Sequence, residues 1–302
     1  MKVTLCFLFS SLLALSSWAQ EAQIVATGQA NWARGPIANI RFKSNTVAFV
    51  QPSLNGLDTK VVDLATGEIS EFIKNFTGSR TPPVPQIGPS GQRYLAYRNG
   101  REFRILRASK EGNGIDDIPL DVAVMDLDVD STGTIYVIGP SGNRSGIVHA
   151  FGPDGKLLWS AVFPTEIGVG SSGKVGTWGL RSWYHVLAKG NGIYAIAKDA
   201  WAIFDPEGKV LAHGRFQLSS PNAGVGIVDY VPDTGWLIVE AAFPGGPGVF
   251  AQPHERLFLH DKAGRRIVEI RIPKGASILA IHDGKLLLML QNGQWAIAEI
   301  RK

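Results

Sequence analysis

The sequence predicts an all-β protein: a six-bladed β-propeller of four-stranded antiparallel blades, with the ring closed by the N-terminal strand. Three observations predict this fold. A hairpin motif recurs along the chain, almost no segment has helical periodicity, and the last repeat lacks one strand that the N-terminal segment can supply.

The recurring hairpin is an apolar run that stops at a polar turn and then resumes. Its four clear copies are VDLATGEI (62–69), FGPDGKL (151–157), FDPEGKV (204–210) and LHDKAGRRI (259–267). With a weaker turn at Gly112, the turn glycines recur roughly every 45 to 55 residues. A repeat of this length that contains only strands is typical of propeller blades.

Each repeat can be divided into four strands. In the third repeat, the predicted strands are residues 122–129, 134–138, 146–151 and 157–163, separated by segments rich in glycine, proline, asparagine and aspartate. The same template fits residues 37–73, 84–120, 183–216 and 226–272.

The sixth repeat is one strand short. It supplies strands at residues 278–281, 285–290 and 294–300, and residues 23–27 at the other end of the chain can supply the fourth. Closure of this kind removes the exposed edges of an open array. A seven-bladed ring and an open stack of sheets remain the alternatives.

The third repeat resembles an NHL-type blade, on the strength of DVDSTGTIYV (128–137) followed by IVHAFGPDGK (147–156). More broadly, the chain resembles the six-bladed propeller superfamily that includes NHL, TolB-like and SMP-30/gluconolactonase-like proteins, without pointing to one family. Such propellers serve as binding scaffolds, sugar-lactone hydrolases and oxidoreductases, so the resemblance implies a fold and not an activity.

The N-terminus has the pattern of a secretory signal peptide. A basic start at Lys2 precedes an apolar stretch too short to span a bilayer comfortably, and Ser17 and Ala19 are small residues at the positions that a signal peptidase reads. We expect residues 1–19 to be the signal peptide and residues 20–302 a single propeller domain that is secreted or periplasmic. An uncleaved anchor is the alternative.

Cysteine content and charge exclude several functions. The single cysteine, Cys6, lies inside the predicted signal, which excludes disulfides, a cysteine nucleophile and thiolate metal sites in the exported domain. Loss of Lys2 lowers the formal charge of +4 by one, and the basic residues form no run. We therefore expect no nucleic-acid partner and no integral membrane segment after cleavage.

The segment GVGSSGKV (168–175) contains a dinucleotide-binding pattern and most of a phosphate-loop pattern. A phosphate loop needs a hydroxyl residue at position 175, where this chain has Val175, and both patterns require a helix next. The following residues, GTWGL (176–180), cannot continue a helix. This segment is interpreted as a glycine-rich connection between the third and fourth blades.

The resemblance to SMP-30-like proteins implies an alternative function, a metal-dependent sugar-lactone hydrolase or lyase at the central channel. A divalent cation such as Ca²⁺ would then be bound by carboxylate and amide oxygens. The connections offer Asn31, Asn55, Asp58, Asn99, Asn143, Asp199, Asn222, Glu255 and Asn292. The family's early acidic residue has no match in the first repeat, and we expect these side chains to form turns. No cofactor is predicted otherwise.

The leading hypothesis is a non-enzymatic scaffold that binds a protein or a cell-envelope ligand through one loop-rich face. The strand order places two long insertions, residues 165–183 and 243–255, on the same face of the disc. Aromatic and arginine side chains gathered there are typical of an interaction hot spot. The predicted binding residues are Trp32, Arg34, Arg80, Arg101, Arg144, Trp178, Arg181, Trp183, Tyr184 and His254. Alternatively, Trp183 and Tyr184 are buried at the start of a strand.

Overall fold

A computed structural model describes residues 20–33, 37–53, 56–77, 79, 81–140, 146–164, 184–220, 223–242 and 254–300. The predicted signal peptide lies outside the described residues. Apart from a short 3₁₀ helix at Asn31–Ala33, the regular structure in this part of the chain is β-strand.

The strands form six four-stranded antiparallel sheets, which are the blades. Blade 1 contains β2 (Ala38–Lys43), β3 (Thr46–Ser53), β4 (Gly56–Asp63) and β5 (Ile69–Glu71). Blade 2 contains β6 (Val84–Ile87), β7 (Arg93–Asn99), β8 (Glu102–Ala108) and β9 (Gly114–Leu120). Blade 3 contains β10 (Asp126–Val129), β11 (Ile135–Pro140), β12 (Gly146–Phe151) and β13 (Leu157–Val162).

Blade 4 contains β14 (Tyr184–Lys189), β15 (Gly192–Ala197), β16 (Ala200–Phe204) and β17 (Val210–Arg215). Blade 5 contains β18 (Ala223–Val231), β19 (Gly235–Ala242), β20 (His254–His260) and β21 (Arg266–Ile270). Blade 6 contains β22 (Ser277–His282), β23 (Lys285–Met289) and β24 (Gln294–Ile300), with β1 (Ala22–Gln29) as its outer strand. The predicted fold class and closure by the N-terminal strand are confirmed.

The recurring hairpin is the turn between the third and fourth strands of a blade. An aspartate side chain holds this turn by accepting backbone N–H groups from the residues that follow it. Asp63 bonds Ala65 and Thr66 in this way, and Asp205 and Asp261 do the same in blades 4 and 5. The motif therefore reports local turn chemistry, which explains why it is visible in the sequence.

The first strands line the centre of the ring. Each of β2, β6, β10, β14, β18 and β22 contacts the first strand of the next blade, and β22 contacts β2. The apolar core consists of six clusters, and each cluster combines side chains of two neighbouring blades. Each blade therefore buries apolar side chains against both of its neighbours.

The two faces of the disc differ in their connections. One face, here called the turn face, carries the turns between first and second strands and between third and fourth strands. The other, here called the connection face, carries the links between blades and between second and third strands. Residues 163–183 join β13 to β14 and residues 243–253 join β19 to β20, so the strand ends that these two links join lie on the connection face.

Candidate functional site

The central channel is lined by charged side chains from the first strands. Alternate residues of a strand point to the same side. Arg41 and Lys43 therefore share one side of β2, and Asp126 and Asp128 share one side of β10. The inner strands were predicted by position, but this ring of charges was not.

The first set of contacts joins blades 1, 3 and 4. Arg41 forms an ion pair with Asp126, although blade 2 separates their strands. Asp126 is 3% exposed, and its second oxygen accepts the backbone N–H of Val186 at 3.1 Å. His185 places Nδ1 3.9 Å from the same carboxylate and its Nε2 3.1 Å from the carbonyl of Val225. Side chains thus reach across the channel and tie non-adjacent blades together.

A second set of contacts lies nearer the turn face. Lys189 at the end of β14 forms ion pairs with Asp229 in β18 and Asp283 in the turn after β22. Burial alone would lower the pKa of Lys189, but the two carboxylates outweigh it and the pKa is raised. Asp229 also accepts the backbone N–H of Gly284 at 3.0 Å. Lys189 is therefore held as a cation that links blades 4, 5 and 6.

Asp128 also lines the channel, on the same side of β10 as Asp126. Its oxygens accept hydrogen bonds from the Gln86 side chain at 2.6 Å and from the backbone of Ala188 at 2.8 Å. Burial raises the pKa of Asp128 to about 6, against the opposing effect of these backbone bonds and of Lys43. Burial also lowers the pKa of Lys43. The channel thus contains a carboxyl group that titrates in mildly acidic solution.

His282 lies in the same region, with Nε2 3.3 Å from Asp283. Its pKa is lowered by burial, in opposition to the neighbouring carboxylates. The pKa of Asp283 is lowered overall: burial raises it, but Lys189 and His282 have the larger combined effect. Among the described residues, no three His, Asp or Glu side chains cluster as ligands for a metal ion.

Four of the predicted binding residues are described, and strand connectivity brings all four to the connection face. Trp32 lies in the 3₁₀ helix between β1 and β2, Arg101 in the turn between β7 and β8, Tyr184 at the start of β14 and His254 at the start of β20. Arg101 is exposed. Trp32 is 4% exposed and packs on Phe49, with ring centroids 5.3 Å apart.

Tyr184 is 7% exposed and packs in the core between blades 3 and 4, as the alternative interpretation expected for this residue. Burial of Trp32 and Tyr184 limits what either side chain can offer to a partner in this conformation. Six predicted residues lie outside the described residues: Arg34, Arg80, Arg144, Trp178, Arg181 and Trp183. The glycine-rich segment 168–175 also lies outside them.

The sequence interpretation missed the channel residues Arg41, Asp126, Asp128, Lys189 and Asp229. A signal was present, because polar side chains alternate within the predicted first strands of blades 1 and 3. Charged residues in a buried strand require partners, and the ring supplies these partners from other blades.

Comparisons with known proteins show the fold alone. Virginiamycin B lyase from Staphylococcus aureus superposes with a TM-score of 0.53 at 14% identity, over 93% of this chain and 100% of that chain. A catalytically inactive variant of that lyase with quinupristin gives a TM-score of 0.54 at 14% identity, over 91% and 99%. A DUF4623 family protein from Bacteroides eggerthii gives 0.54 at 12% identity, over 94% and 77%.

No family model and no curated protein matches the sequence. The chain is a six-bladed propeller. At these identities the superpositions show the fold and do not choose a family. In the described part of the chain, no helix is long and apolar enough to cross a membrane.

Proposed function

We propose that this protein is an exported propeller that acts as a binding scaffold for a protein or cell-envelope ligand through its connection face. The observation that carries this proposal is the difference between the two faces. Turns on the turn face are short, such as those between Lys43 and Thr46, Lys189 and Gly192, and His282 and Lys285. The connection face carries the three longest links between the described strands, residues 163–183, 72–83 and 243–253. Variable loops on a rigid scaffold are where propellers place binding functions.

The channel supports a scaffold role in a second way. Asp126 and Lys189 form ion pairs with residues of other blades, and these ion pairs hold the inner strands in fixed relative positions. A rigid ring presents its loops with little ordering cost on binding. Export is proposed from the signal pattern of residues 1–19.

Site-specific photo-crosslinking tests the proposal. A photoreactive phenylalanine analogue would replace Arg101 on the connection face or Arg181 in the link between β13 and β14, and Lys209 on the turn face as the matched control, in cells of the source organism. We expect one partner species to be captured at positions 101 and 181, and not at 209. The double variant Trp178→Ala with Arg181→Ala should abolish capture at position 101. Equal capture at all three positions, or undiminished capture in the double variant, would contradict the proposal.

The second candidate function is a hydrolase or lyase reaction on a sugar or lactone in the channel. The observation in its favour is Asp128, because a carboxyl group with a pKa of about 6 suits general acid–base catalysis near neutral pH. In its metal-dependent form this function predicts a rise in melting temperature with Ca²⁺, Mg²⁺, Mn²⁺ or Zn²⁺. Saturation at a hundred times the dissociation constant adds about 2.7 kcal/mol to stability. Unchanged melting with all four ions would contradict the metal-dependent form.

A further inference from the structure

A cavity of about 610 Å³ lies at the junction between blade 6 and blade 1, where the ring closes. Its walls come from the end of β1, from the 3₁₀ helix, from Trp295 in β24 and from the third-to-fourth-strand turn of blade 1. Sites for small ligands typically measure about 300–1,000 Å³. The cavity is therefore large enough for a small molecule.

The corresponding place is filled at the next four junctions around the ring. At each of them, the third-to-fourth-strand turn of one blade bonds to the blade before it. The bonds are Lys74 N–H to Gly112 O at 2.8 Å, Arg107 Nη1 to Pro153 O at 2.9 Å, Trp159 Nε1 to Pro206 O at 2.8 Å, and Gln217 N–H to Gly264 O at 2.9 Å.

The third-to-fourth-strand turn of blade 1, by contrast, leaves open space between itself and blade 6. A Cβ placed on Gly67 would meet no described atom within 4 Å, whereas one on the equivalent Gly208 would lie 2.6 Å from the Trp159 ring. At all four equivalent glycines of blades 2 to 5, Gly112, Gly155, Gly208 and Gly264, such a Cβ would lie less than 3.0 Å from a described atom. The opening at blade 1 is thus a departure from the repeat and not a property of every junction.

The lining combines aromatic and uncharged polar groups. Two indoles, Trp32 and Trp295, form part of the wall, and Gly28 leaves room for Trp295, since a Cβ there would lie 2.5 Å from that ring. Hydroxyl and amide groups come from Thr27, Gln29, Asn31 and Thr66. The described lining residues include no charged side chain, so the cavity favours a neutral ligand that has both hydroxyl groups and an apolar face.

We propose that this closure cavity binds a neutral saccharide. A pyranose ring offers hydroxyl groups to the amide and hydroxyl side chains of the lining, and C–H groups to the indoles of Trp32 and Trp295, which are 4% and 8% exposed. An anionic ligand would find no cation in the described lining, and a lipid chain would offer no hydrogen bond to the polar groups there. Apart from Trp32, the cavity residues are not those predicted for the connection face, so the two proposals can fail separately.

The test uses purified protein and a panel of neutral disaccharides: N,N′-diacetylchitobiose, cellobiose, maltose and lactose, with glucuronic acid and a short fatty acid as controls. Binding would be followed by saturation-transfer NMR and tryptophan fluorescence. Ala65→Trp would fill the cavity from an exposed position, and we expect it to weaken binding at least about tenfold.

Ala263→Trp is the matched control, because Ala263 is exposed and occupies the equivalent aspartate-capped turn of blade 5. We expect it to bind like the unmodified protein, and both variants to melt as the unmodified protein does. The proposal is overturned if no neutral disaccharide binds, if only glucuronic acid or the fatty acid binds, or if Ala65→Trp binds as tightly as Ala263→Trp. Crosslinking at position 101 should be the same in both variants, which separates this result from the test of the connection face.

Discussion

Ala22 in β1 pairs with Ile300 in β24, so the two ends of the described chain are adjacent strands of one blade. The register continues to Gln29 opposite Gln294, with one irregularity between Ile24 and Ala26. Gln20 and Ala22 also exchange backbone hydrogen bonds with Arg271 of blade 5, both at 2.9 Å. The N-terminal strand therefore closes the ring and fastens blade 6 to blade 5.

Deletion of residues 20–28 should open the ring and destabilise the whole domain. We expect the melting temperature to fall by about 10 °C or more. Each kcal/mol of unfolding free energy corresponds to about 2–4 °C in a domain of this size, so this fall corresponds to a loss of several kcal/mol. The double variant Ile24→Thr with Val25→Thr is the control, because both side chains are exposed and the backbone ladder is kept. A deletion variant that melts like the intact protein would show that β1 is dispensable.

Asp126→Asn should be strongly destabilising, because it leaves Arg41 without its carboxylate in the channel. Removal of one partner from a buried ion pair costs about 3–5 kcal/mol, and partial exposure of Arg41 places the expected loss near the lower end. Glu299→Gln breaks the exposed pair with Lys285 and should cost less than about 1 kcal/mol. Urea unfolding of both variants measures the difference. Equal losses would mean that the channel pair is no stronger than a surface pair.

Stability should depend on pH through Asp128. Its pKa of about 6 in the folded state lies above the ordinary value of about 4, so the folded protein binds more protons than the unfolded chain between these two pH values. The contribution of Asp128 to the free energy of unfolding should therefore decrease as pH rises from about 4 to about 6, by at most about 1.4 kcal/mol per pH unit. Above pH 6 this contribution should be constant.

The measurement is the difference in unfolding free energy between the unmodified protein and Asp128→Asn across that pH range. Taking the difference cancels the contributions of other groups, such as His282, whose lowered pKa acts in the opposite direction. A difference that stays constant from pH 4 to pH 7 would show that Asp128 titrates normally.

A glycine-to-alanine substitution should cost less stability at the junction between blades 6 and 1 than at the junction between blades 3 and 4. Gly67 and Gly208 both have positive φ, +74° and +87°, so alanine is strained at either position by about 1–2 kcal/mol. Gly208→Ala would in addition push its Cβ into the Trp159 ring, for a further loss of about 1–3 kcal/mol. Chemical denaturation should find Gly67→Ala the more stable variant. The reverse order would mean that the cavity is closed in solution.

Much of the fold could be predicted because its signals are local. The bounds predicted for residues 146–151 and 294–300 match β12 and β24. The first strand of blade 3 is shorter than predicted and begins at Asp126, because apolar residues before it belong to the link between blades. Apolar content alone does not distinguish an inner strand from the buried segment that leads into it.

The burial of the candidate binding residues could not be predicted from the sequence. Trp32 and Arg101 both precede or join strands on the connection face, but Trp32 packs on Phe49 while Arg101 is exposed. An aromatic side chain next to a strand enters the core only where a neighbouring blade packs against it. The position of that neighbouring blade depends on the geometry of the ring and not on residues nearby in the chain.

The sequence by itself determined the repeat, the positions of its hairpin turns and the strand missing from the last blade, since each depends on residues close together in the chain or on their period. Only the tertiary structure decided which charges meet in the channel and which junction stays open. Arg41 and Asp126 are 85 residues apart, and Thr27 lines a cavity with Thr66 only because the closed ring brings blade 6 against blade 1. Long-range contacts of this kind depend on the geometry of ring closure, which no local pattern records.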